Sequence, residues 1–377
     1  MSNINNIGII GIEYQLPLYK LDESDIAKNI GWEVDKIKIG LDMQEIGAPG
    51  YSEDVVSLAL SALYKLIIKF KIDTKDIGKI EVGTESSFDN AKSIKTYLLQ
   101  LFSENKNISG CDSINACYGG TNAVLNTIAW MESSFCKSKY AIVICTDISV
   151  YNDGPAIPTS GAGAVAILIG KNPVYKILPE TLFHYSSNEG DFLKPKSQFF
   201  PYIEGKKSVE IYKQAFQNNY ENFISKFGKD FYDYIVFHSP YPKLITKICN
   251  EYEISSEKFK YSLLVSRYNG NTYTASVYFS LISLIYNKQV KVDEKICLFS
   301  FGSGCVSSIF ILQKMRDGCE IDDLEKRLEK RIKIDFKTYK DIIKNMEMYN
   351  VTLKKENVDG YYISGENSFF RTYNLNK

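Results

Sequence analysis

The sequence predicts an α/β fold built from two similar halves, and three observations support this prediction. Short apolar runs of strand length alternate with stretches of helical periodicity from residue 7 to residue 169. A weaker version of the same order returns after residue 230. Both halves end alike, because Gly161-Ala-Gly163 and Gly302-Ser-Gly304 each lead into an apolar strand. This repeat indicates an internal duplication.

The first half contains apolar runs that predict strands and amphipathic stretches that predict helices. The strands are predicted at residues 7–14, 77–82, 111–115, 140–146 and 161–169, and the helices at residues 52–70, 90–104 and 119–135. In the first of these helices, Val55, Ala59 and Leu66 recur at helical spacing behind a polar start at Ser52, whose side chain can cap free amides. We expect this helix to pack on the sheet.

The second half follows the same order less clearly. Its strands are predicted at residues 234–237, 296–301 and 305–312, and its helices at residues 244–252 and 274–286. Residues 175–207 are polar and rich in aromatic side chains, which predicts a long loop. We therefore divide the chain into an N-terminal half, 1–172, and a C-terminal half, 173–377, which carries that loop and a C-terminal helical extension.

Composition excludes several classes of function. The 377 residues carry 45 basic and 45 acidic side chains, so the formal net charge is +0 and there is no basic footprint for nucleic acid or an anionic membrane. The start is polar, and no run approaches the ~20 apolar residues that a membrane span needs. The eight cysteines and two histidines show no metal-ligand spacing. We expect a cytoplasmic protein without a metal site.

Three polar side chains follow predicted strands and are candidates for chemistry. Cys117 stands where a strand gives way to a helix, a position at which free amides favour the thiolate. Glu85 follows another strand, where partial burial raises a carboxyl pKa into the range useful for proton transfer. His238 ends a third strand before a proline-stiffened turn. Each alone is also compatible with a structural role, and the second histidine, His184, is interpreted as an ordinary residue of the polar loop.

The motifs around these residues resemble the hydroxymethylglutaryl-CoA synthase family of the mevalonate pathway. The resemblance runs from Ile7 to near the C-terminus in the family's order. It is carried by residues 81–85 (Glu-Val-Gly-Thr-Glu), 115–121 (Asn-Ala-Cys-Tyr-Gly-Gly-Thr), 158–166 (Pro-Thr-Ser-Gly-Ala-Gly-Ala-Val-Ala), 237–243 (Phe-His-Ser-Pro-Tyr-Pro-Lys), 269–278 (Asn-Gly-Asn-Thr-Tyr-Thr-Ala-Ser-Val-Tyr) and 299–304 (Phe-Ser-Phe-Gly-Ser-Gly). It implies the thiolase fold, in which two βαβαβαββ halves stack as a five-layered αβαβα core, and it implies a homodimer.

The resemblance also implies a reaction and the residues that perform it. Cys117 would take the acetyl group of acetyl-CoA, Glu85 would act as the base in condensation with acetoacetyl-CoA, and water would release hydroxymethylglutaryl-CoA. His238 would orient the acetoacetyl thioester. No cofactor is implied, because both CoA thioesters are substrates. Residues implied in CoA or acyl binding are Thr159, Ser208, Lys243, Lys247, Asn271, Tyr273 and Ser303, and the supporting residues are Asp147 and Asp191.

The chain departs from the family pattern at three positions. Pro155 replaces a usual Asn, Asn188 replaces a usual His, and Lys196 follows the Asp-Phe-x-Lys-Pro motif. We expect these departures to affect contacts with CoA.

Three other functions compete with this interpretation. A ketoacyl synthase shares the fold but lacks the strand-end glutamate. A polyketide β-branching synthase keeps Cys117, Glu85 and His238 but takes a carrier-bound acetyl donor, whereas the lysine pair Lys243 and Lys247 favours free CoA. An inactive relative would serve as an acyl-CoA-binding or interaction module, and the loss of Cys117 would be its signature.

Overall fold

The computed structural model describes residues 6–152, 154–195, 197–348, 356–367 and 370–376. Lys196 therefore lies outside the described residues. The strands are β1 (Ile7–Gln15), β2 (Tyr19–Asp22), β3 (Glu45–Ala48), β4 (Ile77–Gly83), β5 (Asp112–Ser113), β6 (Tyr140–Ser149), β7 (Gly161–Lys171), β8 (Tyr175–Ser186), β9 (Phe192–Leu193), β10 (Tyr202–Ile203), β11 (Tyr234–Phe237), β12 (Lys295–Gly302), β13 (Val306–Lys314), β14 (Ile332–Ile334), β15 (Tyr361–Asn367) and β16 (Phe370–Leu375).

The helices alternate with these strands. They are α1 (Glu23–Ile30), α2 (Val34–Lys38), α3 (Val55–Lys69), α4 (Ile94–Leu98), α5 (Gly119–Glu132), α6 (Gly205–Phe227), α7 (Pro242–Glu251), α8 (Ser256–Phe259), α9 (Leu264–Asn269), α10 (Ser276–Asn287), α11 (Leu324–Lys330) and α12 (Phe336–Glu347). None of the described helices combines the length and apolar character that crossing a bilayer requires.

Helix α3 shows how local sequence sets an element boundary. It starts after Asp54, whose side chain accepts hydrogen bonds from the amides of Val56 and Ser57 and forms a capping box with Ser57. The helix therefore begins at Val55, three residues after the polar start at Ser52. Its apolar face packs on β1, β6 and β7, as the spacing predicts.

One nine-stranded sheet contains the main strands of both halves. Its order is β11-β12-β13-β8-β1-β7-β6-β4-β5, and the halves meet where Ile9 of β1 pairs with Tyr175 of β8. Parallel pairs β4–β6 and β4–β5 lie in the first half, and the parallel pair β11–β12 lies in the second. The catalytic candidates all follow the carboxyl ends of these parallel strands, where loops converge.

The layers follow from which helix packs on which part of the sheet. Helix α3 covers the outer face of the first half, and α6 packs on β8 and β13 of the second. Helices α5 and α10 lie between the halves, where α5 contacts β4 and β6 and α10 contacts β11. The α/β prediction and the five-layered αβαβα order are therefore confirmed.

The internal duplication is visible in the order of elements. Apart from an insertion of β2, α1, α2 and β3 after β1, the first half runs β1-α3-β4-α4-β5-α5-β6-β7, which is the predicted βαβαβαββ unit. Apart from the β9–β10 hairpin after β8, the second half runs β8-α6-β11-α7, then the short helices α8 and α9, then α10-β12-β13. Among the described residues, the second half has no counterpart of β5. The predicted boundary at residue 172 falls in the connection between β7 and β8.

Two predictions about this half are wrong. Residues 175–207 are not a long loop, because β8 occupies the first part, the β9–β10 hairpin follows, and α6 begins at Gly205. Strand β8 forms because alternate side chains such as Tyr175 and Ile177 are buried against the core and its backbone pairs with β13. The C-terminal extension is helical in α11 and α12, but the described residues near its end form the β15–β16 hairpin. Arg371 and Tyr373 of this hairpin bond to Asp54, at the start of α3.

The start of α5 lies against the end of β4 because neither backbone carries a side chain there. A Cβ atom on Gly83 would lie 2.3 Å from both the N and the Cα atom of Gly120. These are backbone atoms that cannot rotate away. The close approach fixes the position of the residues that precede α5.

We therefore expect Gly83→Ala to lower the free energy of unfolding by about 2 kcal/mol or more, because an overpacked core must shift its backbone. Urea unfolding followed by circular dichroism measures this loss. Gly190→Ala is the matched control, because a Cβ there would meet nothing within 4 Å. Equal stability of the two variants would contradict the tight packing of α5 on β4.

Candidate active site

The candidate nucleophile sits in a sharp turn between β5 and α5. Ala116 has φ of 42°, in the left-handed region that residues other than glycine rarely adopt. The amide of Tyr118 donates to the Asn115 carbonyl at 3.0 Å and closes the turn. Cys117 is thereby presented just before the first turn of α5, as the sequence predicts.

The thiol of Cys117 and the carboxyl of Glu85 are in direct contact. The Sγ atom donates to Oε1 of Glu85 at 3.3 Å. Burial, followed by the negative charge of Asp147, raises the pKa of Glu85 to about 8. At neutral pH the Glu85 carboxyl is therefore mostly protonated, and it becomes a base as the pH rises through 8.

The expectation that Cys117 is a thiolate is wrong. Burial raises the pKa of Cys117 well above its usual range, and the charges of Glu85 and Asp147 raise it further. The favourable field at the start of α5 is outweighed by two carboxyl groups that come from other strands. Cys117 therefore rests as a neutral thiol.

Asp147 holds Glu85 in place. Its carboxylate is fully buried at the end of β6 and accepts the backbone amide of Glu85 at 2.8 Å and the Ser86 hydroxyl at 2.7 Å. It also accepts the hydroxyl of Thr84 at 3.1 Å and the amide of Thr274 at 3.0 Å. Asp147 thus joins the end of β4 to the segment before α10, which belongs to the other half.

His238 is held at the end of β11 and is buried. Its amide donates to the Phe299 carbonyl at 2.8 Å, and its own carbonyl accepts the Tyr212 hydroxyl at 2.6 Å. Its ring is nearly parallel to that of Phe301, with centroids 6.3 Å apart. Burial lowers the pKa of His238 to about 3, so the imidazole is neutral, and its Nδ1 has no hydrogen-bond partner among the described residues.

A cavity of about 450 Å³ brings most of the predicted residues together. Its walls come from both halves of the chain. The predicted residues that line it are Cys117, Thr159, Ser208, His238, Asn271, Tyr273 and Ser303. Glu85 does not line this cavity but lies behind Cys117, in contact with the thiol.

The wall near Asn271 and Tyr273 is built by local backbone contacts. The Asn271 amide donates to the Thr159 carbonyl at 3.1 Å, and the Tyr273 amide donates to Oδ1 of Asn271 at 2.9 Å. Tyr273 has φ of 46°, again in the left-handed region. Its side chain is buried beside Tyr151, whose ring centroid is 6.5 Å away.

Besides Glu85 and Asp147, three predicted residues lie outside the cavity. Lys243 and Lys247 are one turn apart on α7, next to the cavity-lining residues Tyr241 and Leu244. Neither ammonium forms an ion pair with another described residue. Asp191 is fully buried at the start of the β9–β10 hairpin, and neither of its carboxyl oxygens has a described partner. The structure thus does not bring Asp191 into contact with Cys117, Glu85 or His238.

The departures from the family pattern fall in different surroundings. Pro155 lines the cavity beside Trp32 and Asn152, whereas Asn188 is exposed after β8. Pro155 can therefore alter the cavity mouth directly, and Asn188 lines no part of the cavity.

Sequence reasoning missed two residues near the reactive groups. Tyr212 lines the cavity, and its hydroxyl donates to the His238 carbonyl. Its spacing of four residues from Ser208, which puts both on one helix face, could have indicated it.

Lys194 carries the positive charge that acts on Glu85. Lys194 is exposed to solvent, and its contacts with the surrounding protein lower its pKa, while the carboxylates of Glu85 and Asp147 oppose this effect. The only sequence signal for Lys194 was its place in the Asp-Phe-x-Lys-Pro motif, because Glu85 is distant from it in sequence.

This arrangement suits covalent acyl transfer coupled to proton abstraction. A thiol can accept an acyl group, a carboxyl that titrates near pH 8 can remove a proton, and a neutral imidazole can hydrogen-bond to a carbonyl. The cavity walls are largely uncharged, which strengthens such electrostatic interactions.

We expect Glu85→Ala to increase the reactivity of Cys117 above pH 8, because Glu85 is ionised there and its charge raises the thiol pKa. The alkylation rate in that pH range should rise by about tenfold for each unit by which the thiol pKa falls. Iodoacetamide modification of the Cys117 peptide, followed from pH 6 to pH 10, measures the shift. Glu81→Gln is the control, since Glu81 contacts Cys111. An unchanged profile in Glu85→Ala would show that the two groups are not coupled.

Comparisons with known proteins agree with the geometry. The chain matches the models described as hydroxymethylglutaryl-coenzyme A synthase N terminal, over residues 3–174, and C terminal, over residues 183–252 and 248–376. It is 34% identical over 366 residues to hydroxymethylglutaryl-CoA synthase B of Dictyostelium discoideum, covering 82% of this chain and 78% of the relative.

Two further proteins extend the comparison. The human cytoplasmic hydroxymethylglutaryl-CoA synthase is 33% identical over 400 residues, covering 86% of this chain and 77% of that protein. A solved HMG-CoA synthase complexed with CoA superposes with a TM-score of 0.89 at 25% identity, covering 98% of this chain and all of that one.

Proposed function

The chain belongs to the hydroxymethylglutaryl-CoA synthase family, and from that premise we propose the steps by which its residues condense acetyl-CoA with acetoacetyl-CoA. It is an acyl-transferring enzyme that forms a carbon-carbon bond. One observation gives the strongest support to these steps. The Cys117 thiol lies 3.3 Å from the Glu85 carboxyl, beside a cavity whose walls come from both halves.

In the first step, Cys117 attacks the thioester carbon of acetyl-CoA. The thiol loses its proton, a new carbon-sulfur bond forms, and the bond to the CoA sulfur breaks as that sulfur gains a proton. Glu85 is the nearest proton acceptor to the thiol. Backbone amides at Cys117 and Ser303 are candidates to stabilise the oxyanion, a contribution of about 3 kcal/mol per donor in other enzymes.

In the second step, Glu85 removes a proton from the methyl group of acetyl-Cys117. The resulting carbon nucleophile attacks the ketone of acetoacetyl-CoA, and the new alkoxide gains a proton. The burial that raises the pKa of Glu85 to about 8 also gives it the basicity that this step needs. Neutral His238, with its unpaired Nδ1, is suited to orient the acetoacetyl thioester.

In the third step, water cleaves the thioester to Cys117. The oxygen of water joins the acyl carbon as the carbon-sulfur bond breaks, one water proton goes to the Cys117 sulfur, and the second proton leaves to solvent as the carboxylate forms. The product leaves with a new carboxylate, which forms beside Glu85 and Asp147. Lys194 supplies the nearby positive charge that favours this anion.

We propose free CoA as the carrier of both acyl groups. Lys243 and Lys247 lie on α7 beside the cavity-lining residues Tyr241 and Leu244 and have no ion-pair partners among the described residues, so they are available to bind phosphates. A carrier-protein-bound acetyl donor is the alternative, and it is not better supported by the comparisons. The Glu85–Cys117 contact argues against a ketoacyl synthase, which lacks this carboxyl.

We also propose that the chain forms a homodimer in the cytoplasm. Strand β5 is the edge of the sheet, and Ile114 beside it exposes 68% of its surface. An exposed edge with an apolar side chain is a ready surface for pairing with a second copy. The human relative named cytoplasmic supports the location, and cell fractionation tests it.

We expect acetyl-CoA alone to add one acetyl group to Cys117. Glu85→Ala should keep this adduct but lose condensation by about 10²-fold to 10⁴-fold, the range for a general base. Peptide mass spectrometry measures the adduct, and loss of acetoacetyl-CoA absorbance measures condensation. Cys117→Ala is the control that should form no adduct. Wild-type protein without an adduct, or Glu85→Ala with near-normal condensation, would overturn these roles.

The same assay distinguishes the two donors. Acetyl-CoA should support turnover better than an acetyl carrier protein, and Lys243→Ala with Lys247→Ala should raise KM for acetyl-CoA more than for acetyl-pantetheine, which lacks the nucleotide phosphates. Lys229→Ala is the matched control on an exposed lysine. The reverse donor preference would favour the carrier-protein alternative.

We expect Ile114→Asp to convert a dimer into a monomer, because a charge would be buried at the pairing edge. Light scattering after size exclusion measures the mass. Ile68→Asp is the control, since Ile68 is similarly exposed, at 59%, on α3. A wild-type monomer, or a dimer that Ile114→Asp leaves intact, would contradict this interface.

A further inference from the structure

The second histidine, His184, is not the loop residue that the sequence suggests. It lies on β8 and is directly paired with Ser308 on β13. Its Nδ1 atom is 2.7 Å from the Ser308 hydroxyl oxygen. His184 itself is exposed, whereas Ser308 is fully buried.

The hydrogen-bonded chain continues inward from Ser308. The same Ser308 oxygen lies 2.5 Å from the hydroxyl of Tyr118, which is 4% exposed. His184, Ser308 and Tyr118 therefore form a continuous link from the surface to the residue that follows Cys117. We name these three residues the anchor chain.

The anchor chain joins the two halves at the nucleophile. Tyr118 belongs to the first half and closes the strained turn around Ala116, while His184 and Ser308 belong to the second half. The backbone of Tyr118 also lies against Gly302, where a Cβ atom would come within 2.6 Å of the Tyr118 nitrogen. Gly302 ends β12, directly before Ser303 of the cavity.

The reaction requires groups from both halves at one carbonyl. Cys117 comes from the first half, whereas His238 and Ser303 come from the second. An acyl carbon bonded to Cys117 lies close to His238 and Ser303 only if the turn around Ala116 keeps its position relative to β12 and β13. A misplacement of about 1 Å in such a site can cost ~10²-fold in rate.

We propose that His184 and Ser308 are positioning residues for Cys117, which act through the Tyr118 hydroxyl to fix the nucleophile turn against the second half. This inference rests on the proposed acetylation of Cys117. None of the three anchor-chain side chains takes part in bond making, so their effect is on the placement of the thiol and not on its acidity.

The test compares substitutions that remove the anchor chain with substitutions that keep it. His184→Leu and Ser308→Val remove a polar atom, and Tyr118→Phe removes the hydroxyl. His184→Asn retains a polar atom near the Nδ1 position, and Ser308→Thr retains the hydroxyl. Each variant is measured for single-turnover acetyl transfer to Cys117, for iodoacetamide alkylation of Cys117, and for its thermal midpoint.

We expect acetyl transfer to fall by about tenfold in the three removing variants and to return to within about threefold in His184→Asn and Ser308→Thr. Alkylation should stay within about twofold in all of them, because iodoacetamide needs only the thiol. A general structural defect would instead lower alkylation and the thermal midpoint together with acetyl transfer, without rescue by the polar variants.

Unchanged acetyl transfer in His184→Leu and Ser308→Val would overturn the proposal, as would a loss that His184→Asn and Ser308→Thr fail to restore. Failure of the proposed function is distinguishable, because wild-type protein would then form no acetyl adduct at all. A wild-type adduct with unaffected variants would reject only the anchor chain.

Discussion

The buried carboxylate of Asp147 is the interaction on which the rest of the site depends. It lies between the end of β4 and the segment before α10, and it accepts hydrogen bonds from both. A buried carboxylate is stable only when hydrogen-bond donors surround it. The amides of Glu85 and Thr274 supply these donors, so the carboxylate holds the two segments together. Through this contact the end of β4, which carries Glu85, keeps its position against the second half. Its charge also contributes to the raised pKa values of Glu85 and Cys117, so one residue sets both geometry and acidity.

Much of the fold was predictable because its main strands are continuous apolar runs. Strand β11 was predicted with its observed bounds, and β4 differs by one residue. Strand β8 was missed because one face is partly exposed and carries Lys176 and Glu180 among its apolar residues. The terminal hairpin was missed because it depends on distant contacts, such as Arg371 with Asp54, which local periodicity does not reveal.

The site was predictable to the extent that it follows strand ends. The rule that polar groups gather at the carboxyl ends of parallel strands located Glu85, Cys117 and His238, while the binding residues came from the family resemblance. The acidity of Cys117 was not predictable from its helix alone, since Glu85 is 32 positions away in sequence and in contact in space. Lys194 and Tyr212 were missed for the same reason, because their roles arise from contacts between elements.

The two cavity-wall residues with left-handed backbone, Ala116 and Tyr273, mark equivalent turns that have different roles in the two halves. In the first half, Ala116 comes directly before Cys117, and α5 begins two residues after Cys117. In the second half, Tyr273 comes directly before Thr274, and α10 begins two residues after Thr274. Thr274 thus occupies in the second half the position that Cys117 occupies in the first. Its hydroxyl donates to the Gly83 carbonyl and to Asp147, inside the interface between the halves. The turn of the second half therefore braces the interface, while the equivalent turn of the first half presents its side chain to the cavity.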